Sequence, residues 1–267
     1  MVADVDGTLV GPSGAPSPAV IAAAKAAGAA GIRVGFATGR MRLAVAGLQN
    51  ALALPGPHVL HNGAEVRADR RTIAAWPLAA GDIDVILDLA DTLDLYVELY
   101  VDEGFVVSRW DERARPHWDL LGHEPLGVVT SPSEVDEPIL KATYGLFDPE
   151  DVDRIVPALV GAGLAAGPAG SPVTPTIHYV NATSASVDKG AAVTAAADHL
   201  GVSLASVVAI GDADNDASML AVAGTSIAMG QAHPDLQAGA HLIAPSVEED
   251  GVAAVLDWLT ASPVAAP

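Results

Sequence analysis

Cysteine is absent from the 267-residue chain, which removes disulfides, thiolate nucleophiles and cysteine-ligated zinc from consideration. Basic residues are scarce: 13 Lys and Arg against 33 Asp and Glu give a formal net charge of −20. A field of that sign disfavours nucleic acid and anionic membranes as general partners. Aromatic residues make up only 4% of the chain, so a core must be packed from small and aliphatic side chains, and the 51% apolar content suffices for one. No stretch of about 18 uncharged apolar residues could span a bilayer. The alanine-rich run from Ala19 to Ala30 is interrupted by Lys25 and Gly28. No basic segment precedes a long apolar one at the N-terminus, so no signal peptide is expected. These absences lead to the expectation of a soluble cytoplasmic protein, monomer or homodimer, whose partner is a small molecule. That molecule can still be anionic, because a metal ion, one lysine and helix N-termini supply a local positive field.

Two regions alternate short apolar runs with helical patterns. In the first, Val2-Ala3 leads into Asp4-Val5-Asp6-Gly7-Thr8, Ser17-Pro18 reads as a cap followed by an N1 proline, and Ile32 to Ala37 ends at Thr38-Gly39-Arg40. A helix from about Met41 to Ala51 and a strand from His58 to His61 follow. The second region is expected to begin near Ile177, with a strand at His178-Tyr179-Val180 and a helix from Lys189 to a stop at Gly201. Val207 to Ile210 is then a strand, Asp214 a helix cap, Thr225–Met229 and His241–Ile243 further strands, and Val247–Leu259 a closing helix.

Continuous apolar strands separated by helices imply a buried parallel sheet, an α/β architecture in which ligands bind beyond the carboxyl ends of the strands. Asp4, Thr38, Asn62 and Asp212 all fall at that edge. The middle of the chain mixes helix patterns with a hairpin around Gly104, and Gly161 to Pro175 reads as a linker. The expected organisation is a core from 1–80 and 176–267, interrupted by an inserted α+β domain at 81–175.

Transfer of a phosphoryl group needs an in-line nucleophile, neutralisation of the equatorial oxygens and a proton for the departing oxygen. A carboxylate can be the nucleophile and split the reaction in two. It repels phosphate, however, so cations must bridge them. Asp4 and Asp212 are hard oxygen ligands suited to Mg²⁺. Lys189 is a compact cation at a helix start, Thr38 offers a hydroxyl, and Gly39 offers a backbone N–H. Asp6 can protonate the leaving oxygen and later deprotonate water, and Gly7 permits the tight turn that brings backbone amides near the phosphate.

The motifs "DVDGT" at 4–8, "ATGR" at 37–40, "HNGA" at 61–64, "DKG" at 188–190 and "GDADNDASML" at 211–220, with "APSVEEDGVAAVL" at 244–256, resemble the haloacid dehalogenase superfamily, specifically its Cof-type (IIB) phosphatases. The resemblance implies a Rossmann-like core carrying an inserted cap that closes over the site and selects the leaving group. It implies a Mg²⁺-dependent phosphatase acting on a small phosphate ester, with sugar phosphates the natural class. Asp4 would be nucleophile and metal ligand, and Asp6 the general acid/base with its backbone carbonyl on the metal. Thr38, Gly39, Lys189 and Asn215 would contact the phosphoryl group, and Asp212 would ligate Mg²⁺. Asp216 would support the metal or Lys189, and Arg40 and Asn62 would face the leaving group. The segment "NATSASVDKG" departs from the glycine-containing turn expected before the lysine.

Each piece alone has a plainer reading. Acids after strands often only cap helices, Thr-Gly often only ends a strand, and an isolated lysine is usually solvated. Asp214 reads better as a cap than as a ligand. His61 and His178 read as core residues, and His117, Trp118 and His123 as packing or surface residues. It is the order of the acidic, threonine and lysine motifs that favours chemistry. Two rival functions stay open: a phosphomutase of the same superfamily, separated by its isomeric product, and a non-catalytic phosphate-binding regulator, which has no need for Asp6. A metal-dependent glycosyltransferase using Asp4-Val5-Asp6 leaves Lys189 and the second acidic cluster unexplained.

Overall fold

A computed structural model describes residues 1–170 and 174–261. The chain divides into two compact units. The first comprises Met1–Arg40, Val45–Ala74 and the C-terminal part from Asp188; the second comprises Met41–Ala44 and Ala75–Val187.

The first unit is built on a five-stranded, all-parallel sheet. Its strands run, from one edge to the other, Leu242–Ile243, Thr225–Ala228, Val208–Gly211, Val2–Ala3 and Gly35–Phe36. Val2 and Ala3 lie opposite Ala209 and Ile210 on one side and Gly35 and Phe36 on the other. A paired strand on either side explains why two residues suffice as a central strand, since their backbone groups bond to both neighbours. A parallel bridge from Ala37 to Val59 continues the order toward His58–Leu60, which forms a separate three-stranded sheet with Glu65–Ala68 and Arg71–Ala75. The core beneath the sheet is largely Ala, Val and Leu, with Phe36 its large anchor.

Helix boundaries follow local chemistry. Ser17 caps Pro18–Ala29 by accepting from the Val20 N–H at 3.1 Å, with Pro18 in the first turn. Asp188 caps Lys189–Leu200 by accepting from the Ala191 N–H at 2.8 Å, and Gly201 ends that helix at φ +64°. The turn into Ala217–Val222 is held differently from the sequence expectation. Asp216, not Asp214, reaches back, and its Oδ2 accepts from the N–H groups of Asp212 and Ala213 at 3.0 Å each.

The second unit is a five-stranded antiparallel sheet, ordered Gly104–Val107, Tyr96–Val101, Lys141–Leu146, His178–Ser184 and Leu164–Ala169, with the helices Ala80–Thr92 and Glu150–Gly161 contributing to its apolar core. Two expectations change here. His178–Ser184 pairs with Lys141–Leu146 and with Leu164–Ala169, so the return to the first unit falls at Asp188 rather than 176. An apolar run is ambiguous between sheets when both are half or fully buried, and only pairing decides. The expected linker from Gly161 to Pro175, of which 171–173 lie outside the described residues, contains the strand Leu164–Ala169. Gly167 and Pro168 are tolerated because this strand is at the sheet edge, where a missing N–H costs no ladder bond.

Candidate active site

Four loops leave the carboxyl ends of strands in the first unit. Asp4 follows Ala3, Thr38 follows Phe36 with Ala37 between them, Asn62 follows the His58–Leu60 strand with His61 between them, and Asp212 follows Gly211. The helix start at Lys189 supplies the cation. Its Nζ donates to Asp4 Oδ1 at 2.7 Å and to Asp216 Oδ1 at 2.6 Å, and all three side chains are buried. Residues 185 positions apart in sequence thus share one hydrogen bond.

Close backbone approaches make this possible. Gly63 has φ +109°, and a Cβ on it would lie 2.3 Å from the Asp188 carbonyl oxygen, so glycine there lets the Asn62 loop touch the start of the lysine helix. Gly7 has φ +88°, and a Cβ would fall 2.2 Å from Asp212 Oδ2. These are positions where only glycine brings the segments together.

Asp4, Asp212 and Asp216 each offer a carboxylate oxygen, and these atoms lie within 4.8 Å of one another. An oxygen-only donor set of this kind fits a hard divalent cation. The oxygens are not equivalent. Both of Asp216 are engaged, one by Lys189 and one by two backbone N–H groups. Asp212 Oδ1 accepts from the Thr8 hydroxyl at 2.6 Å. Asp4 Oδ2 and Asp212 Oδ2 carry no hydrogen bond among the described residues, which makes them the natural ligand atoms.

Three carboxylates face one ammonium, leaving excess negative charge in a buried place. Burial pushes Asp4 up to about 7, opposed by Lys189 and assisted by Asp216 and Asp212. Burial likewise pushes Asp212 up to about 6, with the Thr8 hydrogen bond opposing. Burial works against the Lys189 charge, yet Asp4 and Asp216 outweigh it and raise its pKa above the ordinary lysine value. A divalent cation among these acids would relieve the same excess charge.

Asp6 stands outside this network. Its carboxylate receives Arg40 through two bonds, Nε to Oδ2 at 2.9 Å and NH2 to Oδ1 at 2.5 Å. Thr38 is buried, and its Oγ1 accepts from the Arg40 N–H at 3.1 Å. Asn62 lies over Gly39, where a Cβ would meet its Oδ1 at 2.7 Å, and that oxygen also accepts from Asn215 Nδ2 at 3.4 Å. The first unit therefore gathers all ten residues singled out in the sequence, but in two linked groups: Asp4, Lys189, Asp212 and Asp216, and then Asp6, Arg40, Thr38, Gly39, Asn62 and Asn215.

Sequence reasoning missed two supports of this site. Thr8 was read only as part of a motif, yet it orients Asp212. Gln231 has no sequence signal at all. Its Nε2 donates to the Gly7 carbonyl at 2.6 Å, and its Oε1 accepts from the Val247 N–H at 3.0 Å, tying the acidic turn to the C-terminal segment. In the second unit, a buried polar group also went unread. Glu98 accepts from the Tyr96 and Tyr100 hydroxyls at 2.8 and 2.5 Å and lies 3.1 Å from His117 Nδ1. Burial works to raise the Glu98 pKa, but His117 and the hydrogen bonds to it outweigh burial and hold it below the ordinary value.

A parallel sheet with a lysine-bridged acidic cluster at its carboxyl edge accords with a class that the family comparison defines, a hydrolase. The chain belongs to the haloacid dehalogenase-like hydrolases, whose family model matches residues 1–256. It is 28% identical to a 5-amino-6-(5-phospho-D-ribitylamino)uracil phosphatase of Bacillus subtilis, over 96% of each chain. It is also 28% identical to a phosphoglycolate phosphatase of Methanopyrus kandleri, over 96% of this chain and 94% of that one. Among solved structures, the phosphatase BT1666 of Bacteroides thetaiotaomicron superposes with a TM-score of 0.79 at 27% identity, covering 96% of this chain and 93% of its own. No helix among the described residues is long and apolar enough to cross a membrane.

Proposed function

We propose that the protein is a Mg²⁺-dependent phosphatase that hydrolyses a small phosphorylated metabolite, most naturally a sugar phosphate, through an aspartyl-phosphate on Asp4. The observation that carries this reading is the Lys189 ammonium held between Asp4 and Asp216, next to Asp212. A carboxylate can approach a phosphate dianion only where its charge is offset, which here falls to Lys189 together with a cation held by the acids.

Asp4, Asp212 and the Asp6 backbone carbonyl would hold the cation, with Asp216 supporting it through Lys189 and the Asp212 turn. When bound, it neutralises charge on the phosphoryl oxygens and on Asp4. In the first half-reaction a bond forms between an Asp4 oxygen and phosphorus while the bond to the leaving oxygen breaks. Asp6 supplies the proton that makes the departing group an alcohol. In the second, Asp6 takes a proton from water, the water oxygen bonds phosphorus, and the acyl-phosphate bond breaks to restore the Asp4 carboxylate and release phosphate. Thr38, Gly39, Lys189 and Asn215 are assigned to the phosphoryl oxygens, and Asn62 to the leaving group. Catalysis belongs to the first unit; the second is assigned as the inserted cap that selects substrates. The names of the two relatives, a ribityl-bearing phosphate and a two-carbon phosphate, support a small hydrophilic ester and leave the individual substrate open.

The test is phosphate release from a panel of sugar phosphates and an aryl phosphate, run with Mg²⁺, with a chelator, and with a folded Asp4→Asn protein. Release that needs the cation and vanishes in the variant is expected. Near-normal turnover by Asp4→Asn would sink the covalent mechanism.

A further inference from the structure

The two carboxylates of the Asp4-Val5-Asp6 turn are treated in opposite ways by the fold. Asp4 is buried on Lys189, whereas the Asp6 side chain is 60% exposed. Asp6's backbone is fixed, since its neighbour Gly7 donates to the Val10 carbonyl at 2.9 Å and Asp6 itself bridges Val10. Its carboxylate is held by one group: both oxygens bond Arg40, and no other described residue hydrogen-bonds either of them.

Arg40 is in turn held from behind. Its N–H donates to Thr38 Oγ1 at 3.1 Å, and its carbonyl accepts from the His61 N–H at 3.2 Å. The Asn62 N–H donates to the Thr38 carbonyl at 3.0 Å. His61 and Asn62 both adopt left-handed backbone, φ +52° and +57°, a conformation that Asn and His accept more readily than most side chains. The turn thus grips the backbone of Arg40, and the guanidinium grips Asp6. An ion pair this exposed adds little to fold stability. What a planar two-bond fork does add is orientation, since it fixes the plane of a carboxylate as a single bond cannot.

We propose that Arg40 is the positioning residue for Asp6, holding the acid/base carboxylate in line with the departing oxygen, and that it does not itself bind the phosphoryl or leaving group. The assignment rests on the phosphatase reading and replaces the expectation that Arg40 faces the leaving group. It has a consequence that direct binding lacks. An alkyl or sugar leaving group departs poorly without a proton, and a 4-nitrophenolate departs well without one. Loss of Arg40 therefore harms only the substrates that need Asp6 as an acid.

The experiment compares kcat/KM for a sugar phosphate and for 4-nitrophenyl phosphate in wild type, Arg40→Ala, Asp6→Ala and the double variant. The ratio kcat/KM covers only steps through loss of the leaving group, so hydrolysis of the aspartyl-phosphate does not enter. Arg40→Ala is expected to lower the sugar phosphate value by about 10- to 100-fold, a part of what general acid catalysis contributes. The aryl value should fall less than about 3-fold, and the melting temperature should move by no more than about 3 °C. In the Asp6→Ala background, Arg40→Ala should change either value by less than about 2-fold, because a residue that acts only through Asp6 has nothing left to act on. Guanidinium added to Arg40→Ala should restore part of the sugar phosphate rate. Equal losses on both substrates with a raised KM, or a further loss in the Asp6→Ala background, would show Arg40 on the substrate and overturn the proposal. A wild type that releases phosphate from neither compound would instead fell the phosphatase reading, and the assignment with it.

Discussion

His58 offers a test of how the strands that carry the site are held. It is buried at the start of the His58–Leu60 strand, its ring stacked on Phe36 at 4.0 Å between centroids. Its Nδ1 accepts from the Phe36 N–H at 3.3 Å, so the ring must be neutral with its proton on Nε2. Phe36 ends the strand that leads to Thr38, and His58 opens the one that leads to Asn62. Burial lowers the imidazole from 6.5 to about 4, with a backbone contact from Leu54 only partly opposing. A lowered base binds fewer protons folded than unfolded, so stability falls as pH drops through the window from 6.5 to 4. With those two values the loss is about 2 kcal/mol at pH 5 and about 3 kcal/mol at pH 4, against almost none at pH 7.

Other acids titrate in the same range, so the signal is the difference between wild type and His58→Asn. The asparagine oxygen can take the place of Nδ1 on the Phe36 N–H and carries no titrating proton. It gives up the stacked ring, which costs about 1–2 kcal/mol at pH 7. Urea unfolding at pH 7, 5 and 4 should therefore show the variant weaker at pH 7 and stronger than wild type at pH 4. Stability curves that stay parallel from pH 7 to 4 would refute the argument, because they would mean that His58 does not resist protonation in the folded state.

Two further substitutions probe other links. Gly63→Ala places a Cβ 2.3 Å from the Asp188 carbonyl at a φ of +109°, so it should cost about 2–5 kcal/mol in urea unfolding and reduce phosphate release by displacing the Lys189 helix start; a change under about 1 kcal/mol would show that the two loops can part freely. Glu98→Ala strips the acceptor from two buried tyrosines and from His117, and a loss of about 3–5 kcal/mol by thermal or urea unfolding is expected, whereas a neutral result would mean that water replaces the carboxylate without penalty.

Much of this protein was legible in its sequence because the relevant physics is local. Short apolar strands with helical patterns between them specify a buried parallel sheet, and an acid, threonine or asparagine directly after a strand lies at its carboxyl edge whatever the rest of the chain does. Ser17 and Gly201 set helix ends by bonds to residues within a few positions. What the sequence left open depends on partners far along the chain. His178–Ser184 reads the same in either sheet, and only its pairing with Lys141–Leu146 and Leu164–Ala169 placed it in the second unit. Leu164–Ala169 was hidden by Gly167 and Pro168, which an edge tolerates and an interior strand does not. The sequence identified Asp4, Asp6 and Arg40 as neighbours of the chemistry. The folded chain alone gave Lys189 to Asp4 and Arg40 to Asp6, because which cation meets which carboxylate is settled by loops 34 and 185 residues apart meeting in space.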